Sequence, residues 1–253
     1  MLAPLLAVQI ALSPVSFPSK DPGVTLTGTL YEPPGLTAQV PAVVIMHACA
    51  GLDSDVSAWG DWFAQHGYVA LAVDSFSARH VSYVCGTHDV PPAVRALDAY
   101  GGLTYLRTLS EVDGAHVGVI GFSHGGGAVL WTENAGVAAR AGIASNGFAA
   151  AIALYPSACN ADPTDALIDP LLLLIGASDD WTDAKTCESF MRHVDPSGAM
   201  GTIHVYPDTY HKFDDPSADR YVTVHRNVYT LRYNATSAAD AHDRVLAFFK
   251  QYL

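Results

Sequence analysis

Val119-Ile120-Gly121-Phe122-Ser123-His124-Gly125-Gly126-Gly127 is the most informative segment of this 253-residue chain. It is typical of an apolar strand that turns sharply into a helix rich in small residues, and it contains the motif Gly-x-Ser-x-Gly. In this motif a serine occupies a strained strand-to-helix turn, and its hydroxyl is exposed above the end of the sheet. Glycines on either side allow other backbone segments to pass close to the turn. The segment therefore predicts Ser123 as a nucleophile and the backbone N–H of His124 as a donor to an oxyanion.

Two later segments supply an acid and a base. An apolar run precedes the adjacent pair Asp179 and Asp180, and a second apolar run precedes His211. A serine needs a base to react at neutral pH, and that base needs a carboxylate to fix its tautomer. The chain order serine, acid, histidine is that of α/β-hydrolases. We therefore expect His211 as the base and Asp179 as the acid, with Asp180 as the alternative acid.

The second oxyanion donor is expected in the loop that follows the apolar run at 42–46. His47-Ala48-Cys49-Ala50-Gly51 is rich in small residues, so its N–H groups can approach a reacting carbonyl. We expect the N–H of Cys49 to be this donor and the His47 side chain to support the loop. A catalytic thiol at Cys49 is the weaker alternative, because no strand-to-helix turn surrounds it.

Composition limits the partners. The net charge is −12, which argues against nucleic acid and anionic membranes, since both require a basic face. No apolar stretch is long enough to span a membrane. No His or Cys spacing is typical of a metal site, so we expect neither metal nor cofactor, and a small molecule as substrate. The oligomeric state stays open.

Four cysteines, at 49, 85, 159 and 187, fit either two disulfides or four buried thiols. If disulfides form, Cys159 with Cys187 is the first pairing expected and Cys49 with Cys85 the second. The apolar start of the chain is typical of an export signal but lacks a basic residue before Lys20, so a packed strand is the alternative. A location outside the cytoplasm is favoured over a cytoplasmic one.

The pattern of the whole chain predicts one α/β domain over residues 1–253, in which 1–14 form an export-signal remnant or an extension. Strand patterns alternate with helical ones, so we expect a mainly parallel, twisted sheet with helices on both faces. An antiparallel hairpin is expected around 15–31, a single helix from 125 to about 140, and a last helix from about 237.

Aromatic residues near these loops could line a substrate pocket, but core packing is the default expectation for each. They are Phe122, Tyr155 and Trp181, and less strongly Trp131. The loop from 75 to 91 could form part of a lid, and it contains Arg79, His80 and Tyr83.

Five segments together resemble the dienelactone hydrolase-like branch of the α/β-hydrolases, and the resemblance spans nearly the whole chain. They are His47-Ala48-Cys49-Ala50-Gly51, Gly121-Phe122-Ser123-His124-Gly125-Gly126-Gly127, Tyr155-Pro156-Ser157-Ala158-Cys159, Gly176-Ala177-Ser178-Asp179-Asp180-Trp181-Thr182 and Tyr206-Pro207-Asp208-Thr209-Tyr210-His211-Lys212-Phe213-Asp214. The resemblance implies an α/β-hydrolase fold and the same nucleophile, acid, base and oxyanion donors. Enzymes acting on dienelactone use a cysteine nucleophile, whereas this chain has Ser123, and Ala48 stands where a substrate-binding glutamate is expected.

The residues favour a serine carboxylesterase that cleaves esters or lactones through an acyl-enzyme. Acyl transfer or peptide hydrolysis by the same triad is the alternative within enzymes. A catalytically inactive hydrolase fold that only binds a ligand is the alternative from another class, and an incomplete triad would favour it.

Overall fold

The structure is a computed structural model that describes residues 10–87, 89–143, 147–161 and 163–253. Its centre is an eight-stranded sheet with the order β1-β2-β4-β3-β5-β6-β7-β8. The strands are β1 Ala11–Pro18, β2 Thr25–Glu32, β3 Val40–Met46, β4 Val69–Asp74, β5 Val112–Phe122, β6 Ala150–Leu154, β7 Leu171–Gly176 and β8 Gly201–Tyr206. Strands β3 to β8 pair in parallel, whereas β1 and β2 form an antiparallel hairpin at the edge. The predicted α/β class with its edge hairpin is confirmed.

Helices cover both faces of this sheet. They are α1 Ser54–Gln65, α2 Pro92–Leu106, α3 His124–Thr132, α4 Ala135–Arg140, α5 Ala184–Val194 and α6 Ala235–Tyr252. Helices α1 and α6 meet where Trp59 stacks on His242, and α2 packs against α3 and α4. Every residue of β6 and β7 is buried, because a parallel strand in the middle of such a sheet has a helix layer on each side.

Side-chain caps define where several helices begin. Asp53, Asp183 and Asn234 each precede a helix and accept a hydrogen bond from the N–H three residues later. These caps satisfy backbone donors that have no partner inside the helix. The cap at Asp183 fixes the start of α5 just after the loop that carries Asp179.

The predicted single helix from 125 to about 140 is wrong, because the chain forms two helices there. Helix α3 ends at Thr132, and Asn134 starts α4 by accepting a hydrogen bond from the N–H of Val137. Glu133 between them is fully buried and accepts hydrogen bonds from the N–H groups of Ile168 and Asp169. These tertiary contacts interrupt a segment whose local pattern is helical throughout.

A second hairpin was not predicted. Strands β9, Asp219–Val224, and β10, Asn227–Arg232, pair antiparallel and form a separate two-stranded sheet. Its tight turn contains His225 with φ of 55°. This hairpin lies between the loop carrying His211 and helix α6.

The four cysteines are paired, and the first described segment of the chain is a strand. Both expected disulfides, Cys49–Cys85 and Cys159–Cys187, are present. Residues 1–9 lie outside the described part of the chain, and the segment from Ala11 to Pro14 pairs with β2 as a strand. Among the described residues, no helix combines the length and the apolar character that a membrane span needs.

Candidate active site

Ser123 lies at the turn between β5 and α3 in a backbone conformation that L-residues rarely adopt. Its φ is 51° and its ψ is −111°. The glycines of the motif are needed for close packing. A Cβ at Gly125 would overlap the carbonyl oxygens of Met46 and His47, and one at Gly121 would overlap the carbonyl of Gly125. The strained turn therefore presents the hydroxyl at the carboxyl end of the parallel strands, where open α/β sheets place their sites.

The structure brings the three predicted side chains into one hydrogen-bonded chain. The Nε2 atom of His211 lies 2.9 Å from Oγ of Ser123, and its Nδ1 atom lies 2.7 Å from Oδ2 of Asp179. All three side chains are buried. Because Asp179 can only accept, Nδ1–H donates to it and Nε2 is left to accept from the serine hydroxyl. This is the arrangement required for His211 to take a proton from Ser123.

Asp179 is held in place by several donors. Its Oδ1 atom accepts from the N–H groups of Trp181, at 2.9 Å, and Thr182, at 2.8 Å. The hydroxyl of Thr182 lies 2.9 Å from Oδ2 of Asp179 and 3.2 Å from Nδ1 of His211. Sequence reasoning gave Thr182 no role, although it stands three residues after the acid. These donors stabilise an ionised carboxylate in a fixed orientation.

Asp180 points to a different partner. Its two carboxylate oxygens accept from the N–H of Thr230, at 2.9 Å, and from the hydroxyl of Thr230, at 2.8 Å. Thr230 lies on β10, so Asp180 fastens the second hairpin to the loop after β7. The structure thus brings Asp179, and not the alternative acid Asp180, to the imidazole of His211.

The two predicted oxyanion donors lie beside Ser123. Cys49 and His124 line the same cleft as the serine, and neither backbone N–H donates to another described residue. The disulfide to Cys85 ties Cys49 to the loop at 75–91, and the N–H of Val84 donates to the carbonyl of Cys49 at 2.9 Å. This disulfide also leaves no thiol at Cys49 to act as the alternative nucleophile.

Sequence reasoning missed a buried cation behind these donors. The guanidinium of Arg95, on α2, donates from Nη2 to the carbonyl of His47 at 2.7 Å, and its Nη1 lies 2.9 Å from Nδ1 of His124. Burial, opposed by the charge of Asp98, lowers the pKa of Arg95 to about 9, so it stays charged at pH 7. Burial and the charge of Arg95 lower the pKa of His124 to about 3, so its ring is neutral.

His47 supports its loop, as the sequence predicts. Its Nδ1 atom lies 2.7 Å from the carbonyl oxygen of Ala48, and its Nε2 atom accepts from the N–H of Ser75 at 3.3 Å. Burial and the charge of Arg95 lower its pKa well below the usual range for histidine, so this ring is also neutral. The loop that carries Cys49 is therefore held by fixed hydrogen bonds.

A cleft of about 350 Å³ opens above Ser123. Its described walls include both disulfides, residues 84–87 of the loop at 75–91, and the side of the site formed by Pro156, Ala158 and Trp181. Phe122 and Tyr155 do not line the cleft, so the pocket assignment is wrong for both and the default expectation of core packing holds. Phe122 is buried against Trp59, and Tyr155 is buried beneath His211, where its hydroxyl donates to Asp214 at 2.7 Å.

The candidate lid loop contributes to the cleft only in part. Arg79 forms ion pairs with Asp98 and Asp21 and so holds the loop to α2 and the edge hairpin. Tyr83 is largely exposed, and His80 does not line the cleft. His88, which belongs to the same stretch of sequence, lies outside the described residues.

Comparisons with known proteins agree with this fold. The chain matches the Dienelactone hydrolase family over residues 26–253. It is 25% identical, over 74% of its length and 79% of the relative's, to a protein of Bradyrhizobium sp. named "Probable 2-oxo-3-(5-oxofuran-2-ylidene)propanoate lactonase". It superimposes with a TM-score of 0.74 and 20% identity on a dienelactone hydrolase-like promiscuous phosphotriesterase from metagenomic libraries, covering 96% of this chain and 99% of that one. Dienelactone hydrolase from Anabaena variabilis gives a TM-score of 0.68 and 17% identity, covering 97% and 99%.

The architecture and the strand-end site define an α/β-hydrolase fold. Within that class, the chain belongs to the dienelactone hydrolase family, and it is a hydrolase of lactones or esters.

Proposed function

We propose that this protein is a serine carboxylesterase that cleaves esters or lactones through an acyl-enzyme on Ser123. The observation that carries the proposal is the continuous hydrogen-bonded chain from Oγ of Ser123 through His211 to Asp179. The strained backbone at Ser123 adds support, because such strain persists at sites where the surrounding structure holds a reacting group in place.

In the first half of the reaction, Oγ of Ser123 attacks the substrate carbonyl carbon and its proton passes to Nε2 of His211. Asp179 stabilises the imidazolium that forms. The N–H groups of Cys49 and His124 donate hydrogen bonds to the carbonyl oxygen and stabilise the negative charge that develops on it. The tetrahedral intermediate then collapses, and the departing alcohol oxygen takes the proton from Nε2 of His211.

In the second half, a water molecule attacks the acyl carbon while His211 takes its proton. The bond to Oγ of Ser123 breaks, and the serine oxygen recovers the proton from His211. The carboxylic acid is released and the enzyme is unchanged. For a lactone the alcohol stays attached to the acyl group, so one hydroxy acid is the product.

The neutral rings of His47 and His124 suit this chemistry. An imidazolium at either position would place a second positive charge beside Arg95, and burial disfavours both charged forms. His47 and His124 therefore remain neutral beside the proposed oxyanion donors at pH 7.

The direct test compares Ser123→Ala with the wild-type protein on p-nitrophenyl acetate, p-nitrophenyl butyrate and γ-butyrolactone. We expect kcat/KM to fall by roughly 10⁴-fold or more, since loss of a triad nucleophile has effects of this size. The matched control is Ser178→Ala, which removes a hydroxyl from the loop beside Asp179 and should hydrolyse at the wild-type rate. Wild-type activity in Ser123→Ala would contradict the proposal.

We also propose a location outside the cytoplasm. Two disulfides in one chain support it, because such bonds persist in oxidising compartments and are rare in the cytosol. Thiol labelling of the protein isolated from its native cells tests this. Labelling of all four cysteines without prior reduction would contradict it.

A further inference from the structure

The proposed reaction uses the backbone N–H of His124 but leaves its imidazole without a role. One edge of that ring lies against Arg95, which is fully buried on α2. Among the described residues, no carboxylate forms an ion pair with Arg95. Its guanidinium instead bonds the carbonyl of His47 and the ring of His124. Burying a charge without a carboxylate partner costs free energy, so the contacts of this guanidinium with the loop at 47 and the ring of His124 point to a role in the site.

Arg95 fixes the tautomer of this ring. A guanidinium has only N–H donors, so Nδ1 of His124, at 2.9 Å from Nη1, must accept. A neutral imidazole that accepts at Nδ1 has its hydrogen on Nε2. The low pKa of His124, caused by burial and by Arg95, keeps the ring in this neutral form.

The donor end of the ring has no protein partner. Nε2 of His124 makes no hydrogen bond to any described residue, and it is not among the enclosed, unpaired polar atoms. The residue is partly exposed and lines the cleft beside Ser123, so its open edge faces the substrate space. The positive charge of Arg95 at the opposite edge polarises the ring and strengthens the Nε2–H group as a donor.

We propose that the His124 side chain is a substrate-binding hydrogen-bond donor, and that the preferred substrates carry an uncharged acceptor oxygen near the scissile carbonyl. An ether, hydroxyl or carbonyl oxygen in the acyl part has this chemistry. The assignment rests on the proposed esterase function and specifies its substrate class.

The charges around the cleft favour an uncharged oxygen over a carboxylate. Asp183 lines the cleft and stays ionised, since hydrogen bonds from Thr186 lower its pKa. No Lys or Arg lines the cleft within the described part of the chain. The charge of Arg95 lies behind the neutral ring, so a substrate anion cannot form an ion pair with it directly.

The test combines two protein variants with two esters of similar size, p-nitrophenyl methoxyacetate and p-nitrophenyl butyrate. His124→Asn keeps the backbone N–H and offers Oδ1 as an acceptor for Arg95, but it is too short to replace the Nε2–H donor. The two esters differ in intrinsic reactivity, but this difference cancels because the kcat/KM of each ester in the variant is compared with its own value in the wild type. The measured quantity is kcat/KM for the methoxyacetate divided by kcat/KM for the butyrate. We expect His124→Asn to lower this ratio by roughly 5- to 10-fold relative to wild type.

Three results would overturn the assignment. One is an unchanged ratio with both esters still hydrolysed. Another is a larger loss for the anionic p-nitrophenyl hemisuccinate than for the methoxyacetate, which would assign the site to carboxylates. The third is independent of the variant's folding. In ¹⁵N NMR of wild-type protein at pH 7, the ring of His124 should show a protonated Nε2 and a bare Nδ1, and a protonated Nδ1 would contradict the proposal. Failure of wild type to hydrolyse any of these esters would instead refute the esterase function itself.

Discussion

Asp179 and Asp180 are adjacent in the chain, yet their carboxylates have unrelated partners. Asp179 accepts from its own loop and contacts His211, whereas Asp180 bonds to Thr230 on the second hairpin. The sequence could place both after β7, because an apolar run predicts the strand. It favoured Asp179 as the acid but left Asp180 as an alternative, because the partner of Asp180 is on a hairpin 50 residues away along the chain.

Replacing each of these aspartates should have unequal effects. Asp179→Asn should lower kcat by roughly 10³- to 10⁴-fold, because an amide no longer holds the reactive tautomer of His211. Asp180→Asn should lower kcat by less than about 10-fold, since it loosens only the contact to β10. The matched pair is compared on p-nitrophenyl butyrate, with circular dichroism to verify folding. A greater loss in Asp180→Asn would exchange the two assignments.

Arg95 and Thr182 show why part of the site could not be predicted. Arg95 belongs to a helix whose pattern indicates only an amphipathic segment, and nothing in its neighbourhood identifies a partner in the loops near 47 and 124. Thr182 is a common residue at the end of a loop. Both acquire their contacts through folding, whereas Ser123 and His211 are marked by local patterns.

At the level of elements, the strands that carry the site were predictable and the second hairpin was not. Parallel strands in a covered sheet are continuous apolar runs, which are easily recognised. Strands β9 and β10 are mostly exposed, and their turn contains His225 and Arg226 instead of the glycine that marks most hairpins. The chain therefore gives no strong local signal there.

This hairpin supports the loop that carries the base. The N–H of Arg232, at the end of β10, donates to the carbonyl of His211 at 3.1 Å. Tyr229 stacks on Trp181 at 4.8 Å between ring centroids, and Trp181 in turn contacts the ring of His211. The position of the imidazole thus depends on two loops and on the hairpin together.

The disulfide at Cys49 should affect turnover, because it anchors one of the two proposed oxyanion donors. Cys85→Ser leaves the N–H of Cys49 in place but frees its loop. We expect kcat to fall by roughly 10-fold with a smaller change in KM, which is less than the loss on removing a donor outright. Steady-state kinetics on p-nitrophenyl butyrate measures this.

The control is the paired variant Cys159→Ser with Cys187→Ser, which opens the other wall of the cleft. This wall contains no proposed oxyanion donor, so the change should appear mainly in KM. Unchanged kcat in Cys85→Ser, with mass spectrometry showing the 49–85 link absent, would contradict the role of this disulfide.

For the whole molecule, buried acids make the free energy of unfolding depend on pH. Burial, followed by the charge of Asp214, raises the pKa of Asp55 from 3.8 to about 9. Asp214 itself is buried, and burial raises its pKa as well. In the unfolded chain both carboxyl groups ionise near their ordinary values, so the folded state binds more protons than the unfolded state between about pH 4 and 9.

Stability should therefore fall as pH rises through this window. Asp55→Asn removes the titrating group while keeping a side chain of similar size. From pH 5 to 9, its free energy of unfolding should decrease less than that of wild type, by an amount on the order of 1 kcal/mol or more. Urea unfolding at several pH values measures the difference. Parallel curves for the two proteins would contradict an elevated pKa at Asp55.

The central claim is a covalent acyl transfer to Ser123, and labelling with a fluorophosphonate tests it most directly. Intact mass spectrometry should show one adduct on the wild-type protein, peptide mapping should place it on Ser123, and Ser123→Ala should remain unlabelled under the same conditions. Equal labelling of Ser123→Ala, or an adduct mapped to another residue of the wild-type protein, would contradict the account.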